Sequence, residues 1–175
     1  MGSQIPYLIR KDTQMRADTR YIVVHCTAGG ANETVDSVLK AWKDRGWKSV
    51  GYHVIIEKDG NPVHLADASA ITNGVRGHNY HAYHICWMGG RDGDDRTIEQ
   101  KVTLMNEILW AMEAFPDAEV VGHRDLSPDL DGDGVVESHE WVKLCPQFDV
   151  KEFVEQVEQL KDFKEDIIKK AFGTH

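Results

Sequence analysis

Two histidines and one cysteine in this chain are of the residue types that form a metal centre. His25 follows a short apolar run, residues 21–24, and His123 follows another, residues 119–122, so each is placed where a predicted strand ends. Cys145 follows in an irregular segment. Catalytic zinc commonly takes three such ligands and leaves a fourth position for water. The spacing alone does not single out this trio, because the chain has nine histidines and His25 could instead be a hydrogen-bonded core residue.

A second metal pattern lies between His123 and Cys145. Residues 129–140, DLDGDGVVESHE, match the calcium-loop sequence D-x-D-x-D-G with glutamate at the twelfth position. The pattern assigns four carboxylates and one backbone carbonyl as calcium ligands, those of Asp129, Asp131, Asp133, Glu140 and Val135 respectively. Pro128 disfavours an entering helix, while a short helix is predicted over residues 138–142. The alternative is a solvated acidic turn that holds no ion.

Three more histidines, His78, His81 and His84, are spaced at three-residue intervals. Neither a helix nor a strand places three residues with this spacing on one face. Structural or substrate-contact roles are therefore favoured over a three-histidine metal site. His84 is predicted to open a strand that continues to Met88.

The elements that must position these side chains alternate between strand and helix. Apolar stripes at helical spacing predict a helix capped by Asn32, a helix from Thr97 to about Ala114, and a last helix from Asp149 onward. Residues 51–65 predict a hairpin, because two apolar runs flank an Asp-Gly turn. We therefore expect an α/β fold, a single domain with a mixed central β-sheet flanked by α-helices.

The domain boundaries are placed from these elements. The main domain is predicted to span residues 20–160, with the calcium-type loop inserted at 129–140. An N-terminal lead-in, residues 1–19, precedes it, and a charged C-terminal helical extension, residues 161–175, follows it.

Charge and cysteine content restrict the function classes. The net charge of −9 argues against binding to nucleic acid or to an anionic membrane surface. No apolar run is long enough for a membrane span, and residues 1–16 lack the apolar core of a signal peptide, so we expect synthesis in the cytoplasm. Three widely spaced cysteines indicate reduced thiols rather than a disulfide framework.

Five motifs occur in the order found in the zinc-dependent type-2 N-acetylmuramoyl-L-alanine amidases, a family that includes phage endolysins and peptidoglycan recognition proteins. They are VVHCTAGG, GYHVIIEKDG, GHNYHAYHICWMGG, GHRDLSPD and KLCPQFDV, and the resemblance covers roughly residues 20–155. It implies hydrolysis of the amide between N-acetylmuramic acid and L-alanine in peptidoglycan, with action on the cell wall after release.

The resemblance also implies a role for individual residues. Matching the motifs residue by residue makes His25, His123 and Cys145 the zinc ligands. Tyr52 would assist catalysis beside the metal, and Lys143 would stabilise the oxyanion or help orient water. His78 and Asn79 resemble the part of the family that lines the substrate groove. The loop at residues 129–140 departs from compact family members, which join the last two ligand motifs by a shorter segment.

Two other functions remain open. The first is a peptidoglycan-binding module without catalysis, although such relatives typically lose the cysteine or the tyrosine, and both Cys145 and Tyr52 are present here. The second is a regulator that binds a protein partner, as some phage relatives do.

Overall fold

Five strands form one mixed sheet in the order β3-β2-β4-β1-β5 in the computed structural model, which describes residue 16 and residues 18–172. The strands are β1 (Tyr21–Cys26), β2 (Val54–Ile56), β3 (Pro62–His64), β4 (Ala82–Trp87) and β5 (Glu119–Gly122). The helices are α1 (Val35–Asp44), α2 (Ile98–Ala114) and α3 (Val150–Phe172). Strand β1 pairs in parallel with β4 and β5, β4 pairs in parallel with β2, and β2 and β3 form the antiparallel hairpin. The predicted α/β fold is confirmed.

The two central strands, β1 and β4, are buried along almost their whole length. Parallel strands covered on both faces read as continuous apolar runs, as the sequence of β1 does. The polar exceptions are His25 in β1 and His84 in β4, and both side chains are fully buried. Strand β1 extends to Cys26, so His25 lies within the strand and not after its end.

Capping boxes set the starts of the first two helices. Helix α1 is capped by Thr34, whose side chain accepts from the Ser37 backbone N–H at 3.1 Å, so the prediction of Asn32 as the cap was wrong by two residues. The Ser37 hydroxyl in turn accepts from the Thr34 N–H at 3.0 Å, which satisfies a second free donor. Thr97 and Gln100 form the predicted box at the start of α2.

Three other boundaries differ from the predictions. Strand β2 is confined to Val54–Ile56, and β4 opens at Ala82, two residues before His84. The helix predicted over residues 138–142 is only a turn at 138–140. The Glu140 side chain folds back at that turn and accepts from the Glu137 N–H at 2.9 Å, which closes the turn in place of a helix.

The two ends of the chain bear on the predicted domain boundaries. Most of the predicted lead-in, residues 1–19, lies outside the described residues. Helix α3 passes residue 160 without a break, so the domain division made there stays a prediction. In the part of the chain that the structure describes, no helix is long and apolar enough to cross a membrane.

The fully buried Gln100 ties the start of α2 to the sheet. Its amide nitrogen donates to the carbonyls of Met88 and Ile56 at 2.9 and 3.2 Å, and its amide oxygen accepts from the Thr97 N–H at 3.1 Å. Replacing Gln100 by Ala would leave these buried partners unsatisfied.

We expect Gln100→Ala to lower the free energy of unfolding by about 2–4 kcal/mol, measured by urea denaturation. Gln156→Ala is the matched control, because Gln156 is exposed and its side chain donates to Glu152 across one helical turn. The control should change the free energy by less than about 0.5 kcal/mol. Equal effects of the two variants would contradict the anchoring role of Gln100.

Candidate metal centre

His25, His123 and Cys145 meet at one end of the sheet. The Nδ1 atoms of His25 and His123 are 3.1 Å apart, and the Cys145 Sγ is 3.9 Å from the His25 Nδ1. One donor atom from each of the three side chains lies within 4.8 Å of the others. The structure therefore brings together the three residues that the sequence predicts as zinc ligands.

The spacing of the donor atoms suits a tetrahedral zinc ion. Zinc–nitrogen and zinc–sulfur distances of about 2.05 and 2.3 Å imply separations of about 3.3 Å between two nitrogens and about 3.6 Å between nitrogen and sulfur. The separations of 3.1 and 3.9 Å differ from these values by only a few tenths of an ångström. Two imidazoles and one thiolate also leave a fourth position open, as catalytic zinc requires.

Strand register explains why the two histidines meet. Val24 of β1 lies opposite Gly122 of β5. His25 is the next residue of β1, and His123 is the first residue after β5, where a short 3-10 helix begins. Neighbouring strands are about 4.8 Å apart, which brings side chains at matching positions into contact. The pairing of β1 with β5, together with the turn that follows β5, thus places two of the three donors side by side.

Backbone contacts hold Cys145 against this pair. The Arg124 N–H donates to the Cys145 carbonyl at 2.9 Å, and the Cys26 N–H donates to the Cys145 Sγ at 3.2 Å. The absence of a side chain at Gly122 allows this approach, because a Cβ there would lie 2.7 Å from the Cδ of Pro146.

Both imidazoles are neutral at neutral pH, which is the state that a metal ligand needs. Burial, followed by the positive charge of Lys143, lowers the pKa of His123 to about 4. Burial is also the main cause that places the pKa of His25 well below its ordinary value. A hydrogen bond with Cys26, together with burial, raises the pKa of Cys145, so without a cation this side chain is a thiol.

Tyr52 stands beside the centre, with its ring centroid 4.8 Å from that of His25. Burial raises the pKa of Tyr52 well above its ordinary value. The phenol therefore keeps its proton at neutral pH and can donate a hydrogen bond. His53 is fully buried and stacks on Tyr83, so of these two adjacent residues only Tyr52 lies beside His25.

An open groove of about 580 Å³ leads to His123. Its lining includes the predicted residues His78 and Lys143, and also Trp47 and Arg76, for which no role was predicted. The Asn79 side chain is engaged elsewhere, since its oxygen accepts from the Val75 N–H at 2.6 Å. The sequence offered little to identify Trp47 and Arg76. They are an aromatic residue and a cation in segments outside the predicted helices, and such residues are common on any protein surface.

A chain of buried histidines lies behind the centre. The His25 Nε2 is 3.0 Å from the Nδ1 of His84, and the His84 backbone N–H donates to the Nδ1 of His53 at 2.9 Å. The other nitrogen of His53 is 3.1 Å from the Ala70 carbonyl. The contact between the rings of His25 and His84 was not predicted, because the sequence does not show which strands pair.

His78, His81 and His84 do not converge. His81 faces Asp18 with a separation of 3.2 Å, His84 is buried in the sheet, and His78 lines the groove. These contacts place the three side chains in different surroundings, and the preference for structural or substrate-contact roles stays a prediction.

The acidic loop at residues 129–140 is closed by its own backbone. Carboxylate oxygens of Asp129 accept from the N–H groups of Gly132 and Gly134 at 2.6 and 2.9 Å, and the buried Glu140 accepts from Leu130 at 2.6 Å. Asp129, Asp131 and Glu140 each place a carboxylate oxygen within 4.8 Å of the other two. Asp133 and Val135 are outside this group; the Asp133 carboxylate accepts from the Val135 N–H at 2.8 Å.

Sequence comparisons identify one family. The profile of the family Amidase_2, N-acetylmuramoyl-L-alanine amidase, matches residues 15–146. The endolysin of Enterobacteria phage K11 is 30% identical over 146 residues, which is 79% of this chain and 87% of that protein. The endolysin of Escherichia phage T7 is 27% identical over 158 residues, 86% of this chain and 95% of that one.

Solved structures share the fold. The endolysin N-acetylmuramoyl-L-alanine amidase LysCS from Clostridium intestinale URNW aligns with a TM-score of 0.65 and 23% identity, over 81% of this chain and 84% of that chain. Human PGRP-IBETAC, solved in complex with glycosamyl muramyl pentapeptide, aligns with a TM-score of 0.56 and 20% identity, over 72% and 85%. The resemblance that the five motifs indicated is confirmed, and the chain belongs to the N-acetylmuramoyl-L-alanine amidase family.

Proposed function

We propose that this protein is a zinc-dependent peptidoglycan amidase that hydrolyses the bond between N-acetylmuramic acid and L-alanine. The observation that carries the proposal is the meeting of the His25, His123 and Cys145 donor atoms, one of which, that of His123, belongs to a residue lining an open groove. Family membership supports the reaction, and the chemistry of the donor set supports zinc.

The three ligands would hold the ion, and neighbouring side chains would act on the substrate. When bound, zinc supplies a Lewis acid that polarises a carbonyl and lowers the pKa of water from about 15.7 toward 7. Tyr52 would donate its phenolic proton in a hydrogen bond to the oxygen on which negative charge develops. Lys143, exposed at the groove, would bring positive charge to the same side of the site.

The groove has the chemistry of a sugar and peptide site. The Trp47 indole, 37% exposed, stacks on Trp42 and offers an aromatic surface to a sugar ring. Arg76 and Lys143 offer cations to the carboxylates of a stem peptide. His78 lines the same groove, and a contact with substrate is proposed for it.

The cell wall is the proposed site of action, in line with the endolysin relatives. Synthesis in the cytoplasm and a protein partner both stay predictions. A non-catalytic peptidoglycan-binding module is the competing function, and product identification separates it from an amidase.

The direct test is to incubate the purified protein with peptidoglycan and identify the products by mass spectrometry. We expect stem peptides with a free L-alanine amino group, lost on chelation and restored by zinc. Intact peptidoglycan in the zinc-restored sample would favour the binding module. Cleavage at another bond would contradict the assigned reaction.

We expect Cys145→Ala to lose both zinc and these products, since it removes one of the three ligands. Zinc content is measured by mass spectrometry of the metal after dialysis. Cys86→Ala is the matched control for zinc content, because Cys86 is a buried free cysteine outside the donor cluster. Full zinc content in Cys145→Ala would remove this cysteine from the centre.

We expect Tyr52→Phe to lower kcat about 100- to 1000-fold with zinc content unchanged, because it removes one hydrogen-bond donor to the developing charge. Tyr80→Phe is the control, since Tyr80 is 60% exposed and lies outside the groove lining. Undiminished turnover in Tyr52→Phe would exclude the assigned role, and loss of zinc would reassign the residue to the integrity of the centre.

Calcium binding by the loop at residues 129–140 also stays a prediction, supported by the sequence pattern and by three converging carboxylates. Millimolar calcium should raise the Tm by about 3 °C or more if the folded loop binds the ion. Asp129→Asn should abolish the rise, and Asp117→Asn, an exposed change elsewhere, should preserve it. An unchanged Tm would contradict calcium binding, and the backbone hydrogen bonds alone would then account for the folded conformation of the loop.

A further inference from the structure

We propose that His84 is a positioning residue for the zinc centre, which holds the ring of His25 in the orientation and tautomer that metal binding requires. The inference rests on the proposed zinc site. His84 belongs to none of the groups of donor atoms that could hold a metal among the described residues, and its side chain is fully buried in the central strand β4. It would act through His25 alone.

Hydrogen-bond directions set the tautomers. If the Nδ1 of His25 faces the other two ligands and gives its lone pair to the metal, its proton must be on Nε2. That Nε2–H lies 3.0 Å from the Nδ1 of His84, which must therefore accept. The proton of His84 is then on its own Nε2, an atom with no hydrogen-bond partner among the described residues.

His53 fixes the position of the His84 backbone. The backbone N–H of His84 can only donate, so the Nδ1 of His53, 2.9 Å away, accepts. The proton of His53 is then on Nε2, and it donates to the Ala70 carbonyl at 3.1 Å. His53 thus holds the backbone of His84, while the ring of His84 contacts the ring of His25.

The local structure is built to admit the His84 ring. A Cβ at Gly74 would lie only 2.4 Å from the Nδ1 of His84, so the absence of a side chain there leaves the space that the imidazole fills. In the register of the sheet, His84 pairs with Val23, two residues before His25 on β1. A buried imidazole whose ring nitrogen bonds to a metal ligand is the arrangement by which outer residues orient a metal-binding histidine.

The test compares zinc affinity among three variants by competition with a chromophoric chelator. His84→Leu fills a similar volume and cannot accept, so its affinity should fall about 10- to 100-fold. His84→Asn can present an oxygen near the position of Nδ1 and should recover most of the loss. Ile85→Val, a buried change at the next residue of β4, should bind zinc as the wild type does.

Two readouts separate positioning from general damage to the core. The visible spectrum of the cobalt-substituted protein should shift in His84→Leu and stay unchanged in Ile85→Val. Nitrogen NMR of the zinc-loaded wild type should show both His25 and His84 protonated on Nε2, a result that does not depend on whether any variant folds.

Wild-type zinc affinity and an unshifted cobalt spectrum in folded His84→Leu would overturn the proposal, as would a proton on the Nδ1 of His84. These outcomes would leave the zinc centre itself intact. A wild-type protein that bound no zinc would overturn the centre and the role of His84 together.

Discussion

The parallel pairing of β1 between β4 and β5 is the constraint on which the candidate centre depends. Its register places His25 beside His123 on one side and near His84 on the other. Backbone hydrogen bonds hold that register, and a slip of one residue would turn every side chain of β1 to the opposite face. Cys145 needs no strand of its own, because backbone contacts with the ends of β1 and β5 dock it there.

Burying imidazoles in a sheet opposes stability unless their nitrogens are paired. The side chains are neutral, and short polar contacts pair most of the ring nitrogens of His25, His53 and His84. The Nε2 of His84 is the exception and has no hydrogen-bond partner among the described residues. Burial lowers the pKa of His53 to about 4, and it lowers the pKa values of His25 and His84 as well. The same burial keeps His25 in the neutral form that a metal ligand needs. The contacts among these imidazoles therefore link the core of the domain to the candidate metal centre.

Much of this arrangement could be predicted from the sequence, and the exceptions have physical reasons. Amphipathic stripes located the helices, the predicted capping box of Thr97 and Gln100 set the start of α2, and five ordered motifs identified His25, His123 and Cys145 as candidate ligands. The predicted strand ends were less accurate, because burial on both faces removes the alternation of apolar and polar residues that marks a strand in the sequence. The contact of His84 with His25 joins residues 59 positions apart through strand pairing, which local sequence does not encode. The turn at 138–140 replaced a predicted helix because the Glu140 side chain bonds to the backbone.

The central claim is that two imidazoles and one thiolate form a zinc site at this end of the sheet. X-ray absorption spectroscopy at the zinc edge of the purified protein tests it most directly. The geometry requires one sulfur at about 2.3 Å and two imidazole nitrogens at about 2.0–2.1 Å, with a light atom completing the shell. A shell without sulfur would exclude Cys145, and a shell with two sulfurs would bring Cys26 into the centre and contradict the proposed set of two histidines and one cysteine.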